Sequence, residues 1–218
     1  MEENNKIITN TFGWLFIGLL ICFGVSYFTT LSDDTIIAVY GFLDGRGYIV
    51  YLIAELVIAF ALSLFIRKLN PIVAKILYIA YTALTGLSLS GIFVVYTTSS
   101  IAFVFLATAL IFGIFAIIGK TTKLDLTKFG IYLLVALIGI IIMEIINIFL
   151  ANNTLNMILC IITIVVFSGY VAYDIRIALN KAYLAESENK AIYCAFQLFL
   201  DFINIFIKLL QLYGKKND

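Results

Sequence analysis

Four acidic residues, Glu55, Glu144, Asp174 and Asp201, fall inside stretches apolar enough to be membrane spans. An ionisable side chain at mid-bilayer costs at least about 2.5–3.5 kcal/mol on insertion scales, so each is a functional candidate by default. Asp201 has the most informative setting. On the otherwise apolar segment Ala191–Tyr213, the residues Gln197, Asp201, Asn204, Lys208 and Gln211 follow at spacings of four, three, four and three. At about 100° per residue these five fall within an arc of roughly 80°. A polar stripe on a helix long enough to cross a bilayer cannot face lipid. It predicts the lining of a helical bundle, with Asp201 near mid-depth.

Asp174 lies near the end of the preceding apolar segment, in Gly169-Tyr170-Val171-Ala172-Tyr173-Asp174-Ile175-Arg176. A short connection makes these two segments antiparallel neighbours. At about 1.5 Å per residue, Asp174 and Asp201 reach similar depth if the sixth segment extends past the membrane edge. Two adjacent carboxyls cannot both ionise cheaply, so such a pair shares a proton. The alternative is separate pairing, Asp201 with Lys208 or Asn204, and Asp174 with Arg176 or Arg67. Lys208, two turns outward of Asp201, is placed to snorkel to the interface.

Absences narrow the chemistry. The chain has no histidine, which rules out Ser-His, Cys-His and His-metal sites. Cys22, Cys160 and Cys194 have no paired spacing and read as small buried hydrophobes. Gly86-Leu87-Ser88-Leu89-Ser90-Gly91 is glycine-rich but intramembrane. Thr82, Gly86 and Ser90, at steps of four, make a small-residue face for close helix packing. No cofactor is predicted, and the net charge of +1 gives no case for nucleic acid.

The elements that position these groups follow from composition. Hydrophobic residues are 63% of 218 and charged residues 12%, about half the roughly 25% of a soluble domain. That predicts an all-α polytopic protein with the bilayer as its solvent. Seven spans of about 20 residues can be laid out: Phe12–Leu31, Tyr48–Ile66, Ile72–Val94, Ile101–Ile118, Gly130–Leu150, Leu155–Ala178 and Ala191–Tyr213. One transmembrane domain over 12–214 remains, with a short cytoplasmic tail at 1–11 and another tail at 215–218. Asn70-Pro71 marks the second boundary, since the residue before proline disfavours helix. The first span reads as a retained anchor, because no small-x-small cleavage site follows it.

Lys and Arg set the orientation. Arg67, Lys68, Lys75, Lys120, Lys123, Lys128, Arg176, Lys181 and Lys190 follow the even-numbered spans, whereas the opposite loops hold only Arg46. The bias places the N-terminus in the cytoplasm and the C-terminus outside a cell membrane. The basic tail, Lys215 and Lys216, runs mildly against this; six spans plus a re-entrant last helix would remove the conflict.

Several ordered motifs carry a resemblance. They are Gly119-Lys-Thr-Thr-Lys-Leu-Asp-Leu-Thr-Lys-Phe-Gly130, Ala136-Leu-Ile-Gly139, Asn147-Ile-Phe-Leu150, Ala172-Tyr-Asp174 and Leu200-Asp-Phe-Ile-Asn-Ile-Phe206 with Leu209-Leu210. From roughly Leu84 to Gly214 the chain resembles the Bax inhibitor/YccA-like family of bacterial membrane proteins. The resemblance implies seven helices with the last one central. It implies a pH-sensitive calcium leak whose paired aspartates are Asp174 and Asp201, which also meet the passing calcium ion and protons. It further implies a basic latch, for which Arg67 is the candidate, and an acidic pathway residue at Glu55. Gln197, Asn204, Lys208 and Gln211 line the path. Glu144 departs from the family pattern; it is either an added cation ligand or the partner of a polar neighbour, and the second is favoured.

Two rival functions stay open. Some members of the family restrain a membrane-bound ATP-dependent protease, and Met1 to Thr11 is the segment free to engage one. Two intramembrane aspartates also resemble a presenilin-type protease. Here, however, Asp201 sits in Phe199-Leu200-Asp201, with no glycine to admit a substrate backbone.

Overall fold

A computed structural model describes residues 2–32, 34–35, 37, 46–66, 69–179 and 189–217. Among them the chain forms seven α-helices: α1 Glu2–Thr29, α2 Arg46–Leu64, α3 Pro71–Val95, α4 Thr98–Thr121, α5 Gly130–Leu150, α6 Asn153–Leu179 and α7 Lys190–Tyr213. A 3₁₀ turn, Leu126–Phe129, precedes α5. Six of the seven predicted spans coincide with a helix to within three residues at either end, and the first, Phe12–Leu31, lies in a helix that begins ten residues earlier. Six helices are long and apolar enough to cross a bilayer, and in α2 the apolar stretch is the shorter Ile53–Leu64.

Local chemistry sets the ends. Asn70 caps α3, its side chain accepting from the Ile72 amide at 2.9 Å, and Pro71 takes the first helical position, where no N–H is needed. Ala151 ends α5 in the left-handed region, φ 47°, and Asn152 Oδ1 then accepts from the Leu155 amide at 2.9 Å to start α6. Residues 2–11, the predicted tail, are helical and continuous with the first span.

The chain forms two compact units, one of residues Met1–Thr97, Leu184–Phe199 and Lys216–Asp218, the other of Thr98–Tyr183 and Leu200–Lys215. In the first, α1 and α2 pack on α3. The predicted small-residue face is the contact: Thr82, Gly86 and Ser90 are buried, and a Cβ on Gly86 would lie 2.5 Å from the Cys22 carbonyl oxygen. Ser26 Oγ reaches the Gly86 carbonyl at 2.6 Å. Higher up, Gly18 makes room for the Tyr78 ring, whose hydroxyl donates to the Trp14 carbonyl at 2.9 Å. On the other side of α3, Tyr78 and Tyr81 meet Phe196 and Phe199 edge to face.

The two ends of α7 are tied to the two ends of α3. Just before α7, Asn189 donates to the carbonyls of Ile66 and Leu69 at 2.7 and 2.8 Å. Just after it, the Asn217 amide donates to the Val95 carbonyl at 2.9 Å, and Tyr96 bridges to Lys216. The helix itself is continuous over 24 residues, about 36 Å.

In the second unit α4 and α5 pack on α6. Gly119 lets α4 approach the Ala172 backbone, and Gly130 makes room for the Tyr173 ring. Phe105 and Phe112 of α4 pack on Phe202, and Phe105 also on Phe206. Of the six long helices α7 is the most enclosed: 67% of its apolar window is buried, against 6% to 39% in the others. A helix buried on most sides puts its polar stripe inside protein.

Candidate functional site

Asp174 lies on the buried face of α6 and Asp201 on the stripe of α7, and their carboxyls lie side by side, within hydrogen-bonding reach of each other. They are 8% and 4% exposed. Two carboxylates have no proton to offer, so a hydrogen bond between them forms only when one of them is protonated. Asp201 Oδ2 has no donor among the described residues, which leaves the remaining negative charge poorly compensated.

The surroundings hold the pair in place from α4 and α6. The close approach of Gly119 to Ala172 fixes the α6 backbone two residues before Asp174. The Tyr173 ring is seated against Gly130, and the Tyr170 ring meets Tyr173 edge to face. Tyr170 lies in the electrostatic field of both aspartates. On α7 the neighbour Phe202 is clamped by Phe105 and Phe112, which stops the helix rotating Asp201 away. The glycines that sequence reading used only as motif markers thus position the site.

The other predicted residues have distinct places. Asn204 turns its amide back to the Leu200 carbonyl at 2.8 Å, so it does not bind Asp201. Lys208 does not snorkel. Its Nζ lies 2.6 Å from Glu144 Oε1 of α5, which makes Glu144 the partner of a polar neighbour. Separate pairing of Asp201 with either residue is thereby replaced by the direct contact of the two acids. Gln211 accepts from the Cys160 thiol at 3.2 Å. Gln197, one turn before Asp201, buries an Oε1 with no partner among the described residues. Glu55, in the first unit, accepts from the Thr85 hydroxyl at 3.0 Å. Arg67 lies outside the described residues.

Sequence reading missed the face of α6 that complements the stripe. Cys160, Thr163, Tyr170 and Asp174 follow at three, seven and four residues, one side of a helix. Thr163 is buried with an unpaired hydroxyl oxygen. The signal was weak, because Cys, Thr and Tyr are ordinary inside membrane helices. With the contacts of Asp174 to Asp201 and of Cys160 to Gln211, polar atoms of α6 meet polar atoms of α7 at two levels about 20 Å apart along the helix.

No three His, Cys, Asp or Glu side chains gather among the described residues. Calcium prefers six to eight oxygens, and two carboxyls supply four at most. The pair alone therefore falls short of a resident calcium site.

A family model described as inhibitor of apoptosis-promoting Bax1 matches residues 4–218. The match extends over the first two helices, where the motifs had given only general likeness. An uncharacterized protein of Borreliella burgdorferi is 36% identical over 219 residues, covering 98% of this chain and 94% of that protein. Inner membrane protein YbhL of Escherichia coli is 36% identical over 216 residues, covering 96% and 91%. An uncharacterized protein of Rickettsia prowazekii is 34% identical over 221 residues, covering 100% and 92%.

Proposed function

Because the chain belongs to the Bax inhibitor family of membrane proteins, we propose that it is a pH-sensitive cation leak that passes calcium and is gated by the proton held between Asp174 and Asp201. The observation that carries this reading is the close approach of two buried carboxyls on adjacent helices. One proton between them makes a hydrogen bond. Losing it sets two negative charges against each other, and gaining a second removes the charge that a passing cation would meet. A coupled pair of this kind titrates as a unit, so helix α7 shifts with the pair and not with either acid alone.

In this reading all seven helices cross the membrane and α7 is central. The N-terminus is cytoplasmic, and the membrane is the inner or plasma membrane, as the printed description of the Escherichia coli relative suggests. The stripe from Gln197 to Gln211 offers a cation amide and carboxylate oxygens, the hard ligands calcium prefers. A rise of calcium inside liposomes carrying the purified protein, with a step between pH 6 and 8, tests this function. Flat, protein-independent traces would exclude it.

The rival readings have less support. Restraint of a protease would have to work through a helical segment, since residues 2–11 belong to α1. An intramembrane protease needs open backbone beside its acids, and Phe202, which follows Asp201, is itself buried.

A further inference from the structure

A second ionic contact lies on the α7 stripe. Lys208 Nζ and Glu144 Oε1 are 2.6 Å apart, and their side chains are 15% and 32% exposed. Seven residues, about 10 Å, separate Lys208 from Asp201 along the helix. Gln211 is one turn farther, bonded to the Cys160 thiol, and Cys160 lies in the field of both Lys208 and Glu144. Helices α5, α6 and α7 thus contribute a carboxylate, a thiol, an ammonium and an amide to one cluster inside the second unit.

The ammonium sits where a free cation would sit. Its contact with the carboxylate is about as long as a calcium–oxygen bond, and each half-buried charge is compensated by the other. Removing one partner leaves the other charge seeking a counterion.

We propose that Glu144 is a second cation site, at the outer end of the stripe, and that Lys208 is its built-in competitor: an entering cation reaches Glu144, with the Gln211 amide oxygen one turn away, only by displacing the ammonium. This inference rests on the cation-leak reading above and divides its labour. The aspartate pair responds to pH, and the outer pair responds to cation concentration.

Two measurements on the same variants test it. Calcium entry into liposomes is followed against external calcium for wild type, Lys208→Gln, Lys208→Ala, Glu144→Gln and the double variant Glu144→Gln/Lys208→Gln. Calcium binding is measured by calorimetry on each of these proteins with Asp174→Asn and Asp201→Asn added, so that the aspartate pair contributes nothing. Both lysine variants should gain calcium binding and half-saturate at concentrations about tenfold lower than wild type. Glu144→Gln, with its ammonium unopposed, should conduct less than wild type. The double variant, which removes both charges together and serves as the folding control, should lose the gained binding and keep the pH step. If no protein conducts, the leak reading fails, and the binding arm decides the Glu144 site alone. A folded lysine variant that binds no more calcium than wild type overturns the proposal. Gained binding that survives in the double variant overturns it too.

Discussion

Asn189 and Leu69 are 120 residues apart in sequence, and the Asn189 side-chain amide donates to the Leu69 carbonyl at 2.8 Å. The same nitrogen donates to Ile66 at 2.7 Å, so one buried side chain fastens the start of α7 to the α2–α3 connection. Asn189→Ala removes both bonds; the Ile66 carbonyl keeps the Leu69 amide at 3.3 Å, whereas the Leu69 carbonyl loses its Asn189 donor, at a cost of about 1–3 kcal/mol if it stays buried. We expect a lower melting temperature in detergent. Asn189→Asp, which replaces the donor by an acceptor, should be worse than Ala. An unchanged melting temperature in both would mean the clasp contributes nothing.

Gly86 predicts a steric effect at the other contact of α3. Gly86→Ala puts a methyl group 2.5 Å from the Cys22 carbonyl oxygen, and backbone cannot swing aside as a side chain can. Overpacking of this kind costs about 1–3 kcal/mol. Gly113→Ala, with nothing within 4 Å, is the matched control and should be neutral or slightly stabilising. Equal melting temperatures for the two variants would refute close packing of α1 on α3.

Orientation is tested by labelling. With Cys22, Cys160 and Cys194 replaced, Asn152→Cys in the α5–α6 turn should react with an impermeant thiol reagent in intact cells. Lys123→Cys, between α4 and α5, should react only after the membrane is opened. Both positions are exposed, whereas Asn189 is buried and would stay silent whichever way the chain runs. The opposite pattern would invert the protein and exchange the inner and outer ends of the stripe.

Proteolysis separates a leak from an enzyme. Purified protein should cleave a membrane-embedded peptide no faster than background between pH 4 and 8. Cleavage that disappears in Asp174→Asn and in Asp201→Asn alike would make the pair catalytic.

Much of this was legible because membrane helices write their burial in plain terms. The stripe on α7 required a protein-lined face, and α7 is the most enclosed of the long helices. The Thr82–Gly86–Ser90 face required close packing, and Cys22 supplies it. Harder to see was any choice between partners. Lys208 read as snorkelling to the interface, with Asp201 as the alternative partner, and only the packing of α5 beside α6 brings it to Glu144. That the tail is helical was hidden for a different reason: Glu2, Glu3 and Lys6 are polar, but polar residues continue a helix as readily as they end a membrane span. The polar face of α6 stayed hidden because Cys160, Thr163 and Tyr170 carry no charge to mark it.

The central claim is that Asp174 and Asp201 act as one titrating unit. Calcium entry into liposomes from pH 6 to 8, for wild type, Asp174→Asn and Asp201→Asn, tests it most directly. Wild type should show a pH step, and each single variant should lose the step entirely instead of moving it, because neither acid alone can hold the bridging proton. If both variants keep the wild-type profile, the two aspartates are structural and the gate lies elsewhere.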